Sequence, residues 1–375
     1  MAEADILPEP DRIEGAPHPR ETETLLGQAG PEHDFLDAFT SGRMHHAWLI
    51  TGPRGVGKAT LAWRIARFLL ATPPDDGGMF APATPDTLDI APDHPVARRL
   101  AALSDPGLFL LRRPYDEKAK RLKGEITVDE ARKLKNFFAL SASDGGRRVV
   151  IIDSADELNT NAANAILKLL EEPPANAILL LISHQPTRLL PTIRSRCREL
   201  RLAPLSPPDL AQALVNAGAE PDARAEALAE LAAGSVGDAL SLTHLEGLKL
   251  YSDIAAVFHN APNYDRQRAL KLAEGCAGKA NVDRFSLTLR LIDLFLSRLA
   301  RNGAGLAPAA EAIQGEGALL NRLSSTQQAA RAWAATQQSL SAAAQHGRAV
   351  NLDPAALILD MVFRINETAD AVAAR

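Results

Sequence analysis

The chain has 375 residues, 46% hydrophobic and 23% charged, which excludes global disorder and supplies material for two or three domains rather than one. Its net charge of −5 excludes the overall basic field of a stand-alone nucleic-acid-binding protein. Two cysteines are too few for a disulfide framework, and no apolar run reaches the roughly 18 residues of a membrane span. We therefore expect a protein of the reducing cytoplasm that is neither secreted nor membrane-bound.

The N-terminal half of the chain combines strand and helix patterns. Residues 1–20 mix Pro, Gly and both charges without periodicity, so we expect a mobile N-terminal tail. Over residues 21–204, short apolar runs are bounded by turns and separated by helical patterns, which is typical of a buried parallel sheet. The runs are Ala47–Thr51, Gly107–Leu111, Val149–Asp153 and Ala177–Ser183. The pattern predicts an α/β domain in which helices flank a parallel sheet.

The C-terminal half is predicted to be helical throughout. Beyond residue 204 the strand signals end, and Ala- and Leu-rich segments with a period of about 3.6 residues follow. A weak break near residues 244–250 divides a small helical domain, 205–248, from a larger one, 249–375. Two wide apolar faces, over residues 285–300 and 351–369, either close a helical bundle or leave a surface for partners.

A phosphate-binding loop follows the first apolar run. Residues 52–60, GPRGVGKAT, form a Walker A motif ahead of an amphipathic helix, and Lys58 would reach the β and γ phosphates. The glycines that let backbone N–H groups turn toward phosphate oxygens are Gly52, Gly55 and Gly57. Ala59 lacks the hydroxyl that coordinates Mg²⁺, and Thr60 lies about 100° further round the helix. The motif leaves nucleotide binding open and predicts that metal positioning is compromised.

The third apolar run ends in a carboxylate, as a Walker B strand does. That carboxylate is Asp153, and Ser154 follows it. The alternative interpretation of Asp153 is a strand-end residue that caps the next turn. Its position on a second buried strand after a phosphate loop favours the Walker B interpretation, and with it a vestigial nucleotide site.

Four sequence blocks resemble the AAA+ subunits of bacterial DNA polymerase III clamp loaders. The blocks are HHAWLITGPRGVGKAT (45–60), NAANAILKLLEEPP (161–174), ISHQPTRLLPTIRSRC (182–197) and GSVGDALSL (234–242). The resemblance implies an AAA+ P-loop domain over residues 21–204. It also implies a small helical lid over residues 205–248 and an all-α collar over residues 249–375 that packs against sister subunits.

The resemblance also implies a division of labour at an ATP site shared between subunits. The family's Ser-Arg-Cys motif, which one subunit inserts into the site of the next, is Ser195, Arg196 and Cys197 here. Arg196 is then an arginine finger acting in trans. Hydrolysing members carry Glu where this chain has Ser154, and Arg on the lid where it has Gly237. With Ala59, three elements of hydrolysis are missing, which implies a subunit that is not an enzyme by itself and requires no cofactor.

The implied partners are the gamma/tau ATPase subunits and a delta subunit in a heteropentamer. The sliding clamp and primer–template DNA would be met through that complex, in the cytoplasm and at nucleoid-associated replication forks. Two alternatives stay open. One is an active ATPase of the same family, in which Thr60 and Asp156 replace the missing groups. The other is a regulatory P-loop protein that binds nucleotide outside any clamp loader.

Two further features bear on metals and DNA. Many family members hold a four-cysteine zinc module before the Walker B strand, but residues 73–108 contain no cysteine, so we expect no metal site and interpret His94 as an exposed loop residue. Residues 111–135 hold nine Lys/Arg against five Asp/Glu. Phosphate contacts with DNA are one interpretation, and a solvated helix face is the favoured one. The residues concerned are Arg132, Lys133 and Lys135.

Overall fold

The computed structural model describes residues 8–13, 16–72, 85–118, 120–139, 146–219, 225–308 and 310–374. The chain forms two compact units. The first comprises Met1–Gly218 and Ser235–Gly237, and the second comprises Ala219–Gly234 and Asp238–Arg375. The finer boundaries of the lid and the collar stay predictions. No helix among these residues is both long and apolar enough to cross a membrane.

The first unit is built on a parallel sheet of five strands, in the order β2-β5-β6-β1-β7. The strands are β1 (Ala47–Thr51), β2 (Leu108–Arg112), β5 (Arg148–Asp153), β6 (Ala177–Ser183) and β7 (Arg198–Arg201). A two-stranded antiparallel hairpin is formed by β3 (Tyr115–Asp116) and β4 (Arg121–Leu122). The predicted parallel sheet is confirmed. Sequence patterns missed β7, because an edge strand with the sequence RELR lacks an apolar run.

The described residues of the first unit form seven α-helices. They are α1 (Ala29–Thr40), α2 (Lys58–Ala71), α3 (Pro95–Ala101), α4 (Val128–Ala139), α5 (Thr160–Glu171), α6 (Pro191–Arg194) and α7 (Pro207–Asn216). Val150 and Ile152 of β5 join α4 and α5 in one buried cluster, while α2 contacts β1, β5 and β6 outside it, so helices cover both faces of the sheet. Helix α3 begins at a side-chain cap, because the Nδ1 of His94 accepts from the N–H of Val96 at 3.2 Å. His94 is therefore a half-buried helix cap, and its interpretation as an exposed loop residue is wrong.

The C-terminal half is helical, as predicted, and no strand occurs among its described residues after Arg201. The helices are α8 (Ala225–Ala232), α9 (Val236–His244), α10 (Gly247–Val257), α11 (Arg266–Glu274), α12 (Val282–Gly303), α13 (Glu316–Leu323), α14 (Gln327–Ala349) and α15 (Pro354–Ala373). Within the second unit, α12 packs against α10 and α14, and α15 packs against α11 and α14. The two predicted apolar faces lie on α12 and α15, and most of their large side chains are buried in this bundle.

The N-terminal segment differs from the expected mobile tail. Its described residues, 8–13 and 16–28, lie against the first unit, and the His18 side chain is only 2% exposed. Ion pairs join Glu9 and Asp11 to Arg112 at the end of β2, at 2.7 and 3.2 Å. These contacts join residues about 100 positions apart, which local sequence patterns do not reveal.

Candidate nucleotide site and arginine finger

The phosphate loop lies where the sequence predicts, between β1 and α2. Gly57 has a φ of 99° and precedes the first helical residue, Lys58, so the left-handed conformation here favours glycine. The Lys58 Nζ donates hydrogen bonds to the carbonyl oxygens of Gly52, at 2.8 Å, and Pro53. Burial lowers the pKa of Lys58 to about 8. The amine that would reach a phosphate is therefore bonded to its own loop.

The end of β5 carries a half-buried carboxylate, Asp153. Asp153 is opposite Arg112 in the sheet, and burial together with the nearby charges of Asp11 and Glu157 raises the pKa of Asp153 to about 7. The hydroxyl of Ser154 is buried, and no residue in the described part of the chain accepts or donates a hydrogen bond to it. The end of β5 therefore supplies one carboxylate, Asp153. The next residue, Ser154, has a hydroxyl and so offers no carboxylate that could orient a water.

Asp156, the other candidate for that role, is engaged in holding the end of β6. Its carboxylate accepts hydrogen bonds from the Ser183 hydroxyl at 2.7 Å and from the backbone N–H groups of His184 and Gln185. Burial lowers the pKa of His184 to about 4, and the charges of Lys58 and Arg54 contribute. His184 is thus a neutral imidazole at neutral pH. It belongs to the segment Ser183–Gln185, which takes the place where the clamp-loader resemblance implies a Thr or Asn sensor.

The lid motif closes on the phosphate loop within the first unit. The backbone N–H groups of Val236 and Gly237 donate to the Gly55 carbonyl at 2.9 and 3.3 Å. A Cβ atom at Gly237 would lie 2.9 Å from the Ile13 Cδ1 and 3.2 Å from the Gly55 Cα. The position that corresponds to a sensor arginine therefore has no space for a side chain in this conformation.

The Ser-Arg-Cys motif lies between α6 and β7. The Arg196 guanidinium donates to the Thr192 carbonyl at 3.1 Å and pairs with Glu171 at 3.0 Å, and it remains 37% exposed. The Ser195 hydroxyl also donates to Thr192, at 3.2 Å. Cys197 packs at the edge of the core cluster, and burial raises its pKa to about 12, which suits a packing role and not a nucleophile. Glu171 was not singled out by sequence reasoning.

The sheet separates this motif from the chain's own phosphate loop. Strands β1 and β7 run parallel, with Trp48 opposite Arg198 and Thr51 opposite Arg201. Arg196 therefore precedes the amino end of β7, whereas the phosphate loop follows the carboxyl end of β1. Roughly 10 Å of strand lies between the two edges of the sheet, before the loops are counted. Arg196 and the phosphate loop of the same chain therefore lie at opposite edges of the sheet.

The basic segment presents paired charges on an exposed helix face. Arg132 pairs with Asp129 at 3.2 Å, and Lys133 pairs with Glu130 at 2.7 Å, each across one turn of α4. Lys135 is exposed on the same helix. Such pairs are typical of a solvated face, and the contact of these residues with DNA stays a prediction. No group of three metal-ligating side chains occurs among the described residues.

Comparison with known proteins bears on the same region. Residues 27–206 match the family described as DNA polymerase III, delta subunit. The clamp-loader resemblance is confirmed for this part of the chain. The DNA polymerase III subunit delta' of Pseudomonas aeruginosa is 40% identical over 232 residues, which is 61% of this chain and 65% of that protein. The delta' subunit of Escherichia coli is 35% identical over 216 residues, which is 56% of this chain and 59% of that protein.

Similarity is not confined to delta' subunits. The DNA polymerase III subunit gamma of Buchnera aphidicola is 31% identical over 229 residues, covering 60% of this chain and 58% of that protein. The chain thus spans about three-fifths of the length of these relatives. The whole second unit lies beyond the segment that the clamp-loader family model matches. Which clamp-loader role this chain has must therefore be argued from its own residues.

Proposed function

We propose that this chain is a delta'-type subunit of a DNA polymerase III clamp loader, which does not hydrolyse ATP and donates Arg196 to a neighbour's ATP site. The observation that carries the proposal is the contrast between the two edges of the sheet. One edge holds a phosphate loop with Ala59, Ser154 and Gly237 in place of working groups. The other holds an accessible arginine within a Ser-Arg-Cys motif.

The geometry supports action in trans. Arg196 lies at the opposite edge of the sheet from its own phosphate loop, so it cannot contact a nucleotide there. Its guanidinium is exposed and held by a surface ion pair, which contributes about 1 kcal/mol or less and can be exchanged for phosphate contacts. A planar guanidinium that forks onto γ-phosphate oxygens offsets charge in the transition state. The proposed partners are gamma/tau and delta subunits, with the clamp and primed DNA met through the complex at replication forks.

The rival interpretation as an active ATPase is disfavoured by two contacts. Asp156 uses its oxygens to hold the end of β6, so it is a poor general base. The Lys58 amine is bonded to carbonyl groups of its own loop. We therefore propose that the P-loop is retained for structure, and that no cofactor is required by this chain.

Steady-state ATPase of a reconstituted loader tests the proposal. The chain would be assayed alone and with gamma, delta, clamp and primed DNA, using gamma subunits whose own finger arginines are replaced so that only the site fed by this chain turns over. We expect no turnover by the chain alone and strong turnover in the mixture, lost on Arg196→Ala. Arg194→Ala, an exposed arginine two residues away, is the matched control and should leave turnover unchanged. Turnover by the chain alone would contradict the proposal.

A further inference from the structure

We propose that residues 8–13 and 16–28, here called the N-terminal strap, close the P-loop of this chain against nucleoside triphosphates. The proposal concerns the same loop as the proposed function, but it does not depend on Arg196. It predicts that the chain itself blocks the nucleotide site. The site is then not merely weakened because Ala59, Ser154 and Gly237 stand in place of working groups.

Apolar side chains of the strap lie against the glycines of the nucleotide site. The Leu25 Cδ1 lies 2.5 Å from the position that a Cβ atom would take at Gly57. The Ile13 Cδ1 lies 2.9 Å from the corresponding position at Gly237, whose own Cβ position is 3.2 Å from the Gly55 Cα. A P-loop binds a phosphate chain through its backbone N–H groups, so side chains packed against the glycines of the site restrict access to them. Here aliphatic carbon from the strap lies beside them.

Hydrogen bonds attach the strap directly to the loop. The buried Gln28 side chain donates to the Val56 carbonyl at 3.3 Å and to the Ala203 carbonyl at 2.7 Å, and it accepts from the Ala203 N–H at 3.2 Å. Gln28 thereby joins the phosphate loop to the segment that follows β7. A buried amide with this many partners holds one geometry, since each lost bond would leave a polar group unsatisfied.

Helix α2 contributes two buried arginines that contact the strap. Arg64 and Arg67 are 6% and 7% exposed on a helix whose other buried side chains, apart from Lys58, are apolar. Arg64 donates to the Glu23 carbonyl but also pairs with Glu32 at 2.7 Å and Asp89 at 2.8 Å outside the strap. Arg67 donates to the Arg20 carbonyl of the strap at 2.7 Å. A buried guanidinium without partners is costly, so the bond of Arg67 in particular favours the closed strap. The arginines follow the P-loop by two turns or less, which couples strap and loop.

Ion pairs attach the far end of the strap to the end of β2. Glu9 and Asp11 both pair with Arg112, and His18 lies between them at 3.1 and 3.2 Å. Glu9 also pairs with Arg20 of the strap at 2.9 Å. Arg112 is opposite Asp153 in the sheet, so these ion pairs hold the strap beside the Walker B strand. Replacing both carboxylates should therefore loosen the strap.

Binding of a fluorescent ATP analogue to the full chain, with Mg²⁺ and with EDTA, tests this proposal. The variants are a deletion of residues 1–27, which removes both Ile13 and Leu25, and the pair Glu9→Gln/Asp11→Asn, with Asp34→Asn as the matched control because its carboxylate is exposed on α1. If the strap opens only a fraction of the time, the apparent Kd rises by the inverse of that fraction. We expect the deletion to tighten binding by about tenfold or more, the pair by a smaller factor, and the control not at all.

Specific binding of the ATP analogue must use the P-loop. Lys58→Ala in the deletion variant should therefore abolish this binding. Two results would overturn the proposal: the unaltered chain binds as tightly as the deletion variant, or the deletion variant keeps its thermal transition and still does not bind. If the deletion loses its thermal transition, the Glu9→Gln/Asp11→Asn pair decides, and an unchanged Kd overturns the proposal. Stimulation of the neighbour's ATPase reports on Arg196 separately, so failure of one proposal leaves the other standing.

Discussion

The two edges of the parallel sheet have opposite characters. At the carboxyl ends of β1 and β5, Lys58 is bonded to its own loop, Asp153 is half-buried, and Leu25 of the N-terminal strap packs against Gly57. At the amino end of β7, Arg196 is accessible and is held by a surface pair with Glu171 and a hydrogen bond to the Thr192 carbonyl. The comparison teaches that one parallel sheet can carry an enclosed loop at its carboxyl edge and an accessible arginine at its amino edge.

The largest expected effect is at the accessible edge. Arg196→Lys keeps the positive charge but loses the planar fork, so we expect the turnover of the neighbour's site to fall by about 10²-fold or more, compared with the 10³ to 10⁵ that a finger contributes in other NTPases. The measurement is single-turnover ATP hydrolysis in the reconstituted loader. Full activity with lysine would mean that only charge at this edge matters.

A large effect is also expected at the enclosed edge. Gly237→Arg restores the sensor residue of hydrolysing relatives, but its side chain would meet Ile13 and the Gly55 backbone. Overpacking of this kind costs about 1 to 3 kcal/mol of the free energy of unfolding. Urea denaturation of the variant and the parent chain would measure it. A stable variant with a Tm equal to that of the parent would show that the lid and the strap move apart without cost.

The effect of replacing Asp153 on the free energy of unfolding should depend on pH, unlike that of an ordinary surface carboxylate. Burial raises the pKa of Asp153 to about 7, so between about pH 4 and pH 7 the folded chain holds a proton that the unfolded chain releases. Stability from this group is present at low pH and is lost as the pH rises toward 7. Asp153→Asn should therefore raise the free energy of unfolding at pH 8 by about 2 kcal/mol and have less effect at pH 5. Equal effects at both pH values would contradict the buried state.

The smallest expected effect is at the pair that holds the finger. Glu171→Gln removes the ion pair with Arg196, and because both side chains are more than a third exposed, the free energy of unfolding should change by about 0.5 kcal/mol or less. Thermal unfolding of the variant checks this. Glu172→Gln, an exposed neighbour at the end of α5, is the matched control. A loss of several kcal/mol would mean that the pair is structural and that Arg196 is not free to leave it.

Local chemistry in the sequence determined much of this protein. Continuous apolar runs identified four of the five strands in the described sheet, β1, β2, β5 and β6, because the strands of a parallel sheet bury apolar side chains. The Walker A spacing located the phosphate loop. The sequence alone also showed Ala59, Ser154 and Gly237 at the positions where the family resemblance implies groups needed for hydrolysis. The family match covers residues 27–206, which include the Ser195–Cys197 motif, while the role of that motif stays a proposal.

Long-range placement was decided by the tertiary structure alone. The polar strand β7 had no apolar run to reveal it, yet its parallel pairing with β1 is what puts Arg196 and the phosphate loop at opposite edges. The N-terminal strap has no periodicity, and its contacts with Arg112 and Val56 join distant parts of the chain. One feature of the sequence indicates that a further segment covers helix α2. Arg64 and Arg67 lie on an otherwise apolar helix, and their guanidinium groups require partners. Which partners they have depends on how the chain folds back, because buried charge is satisfied by proximity in space and not in sequence.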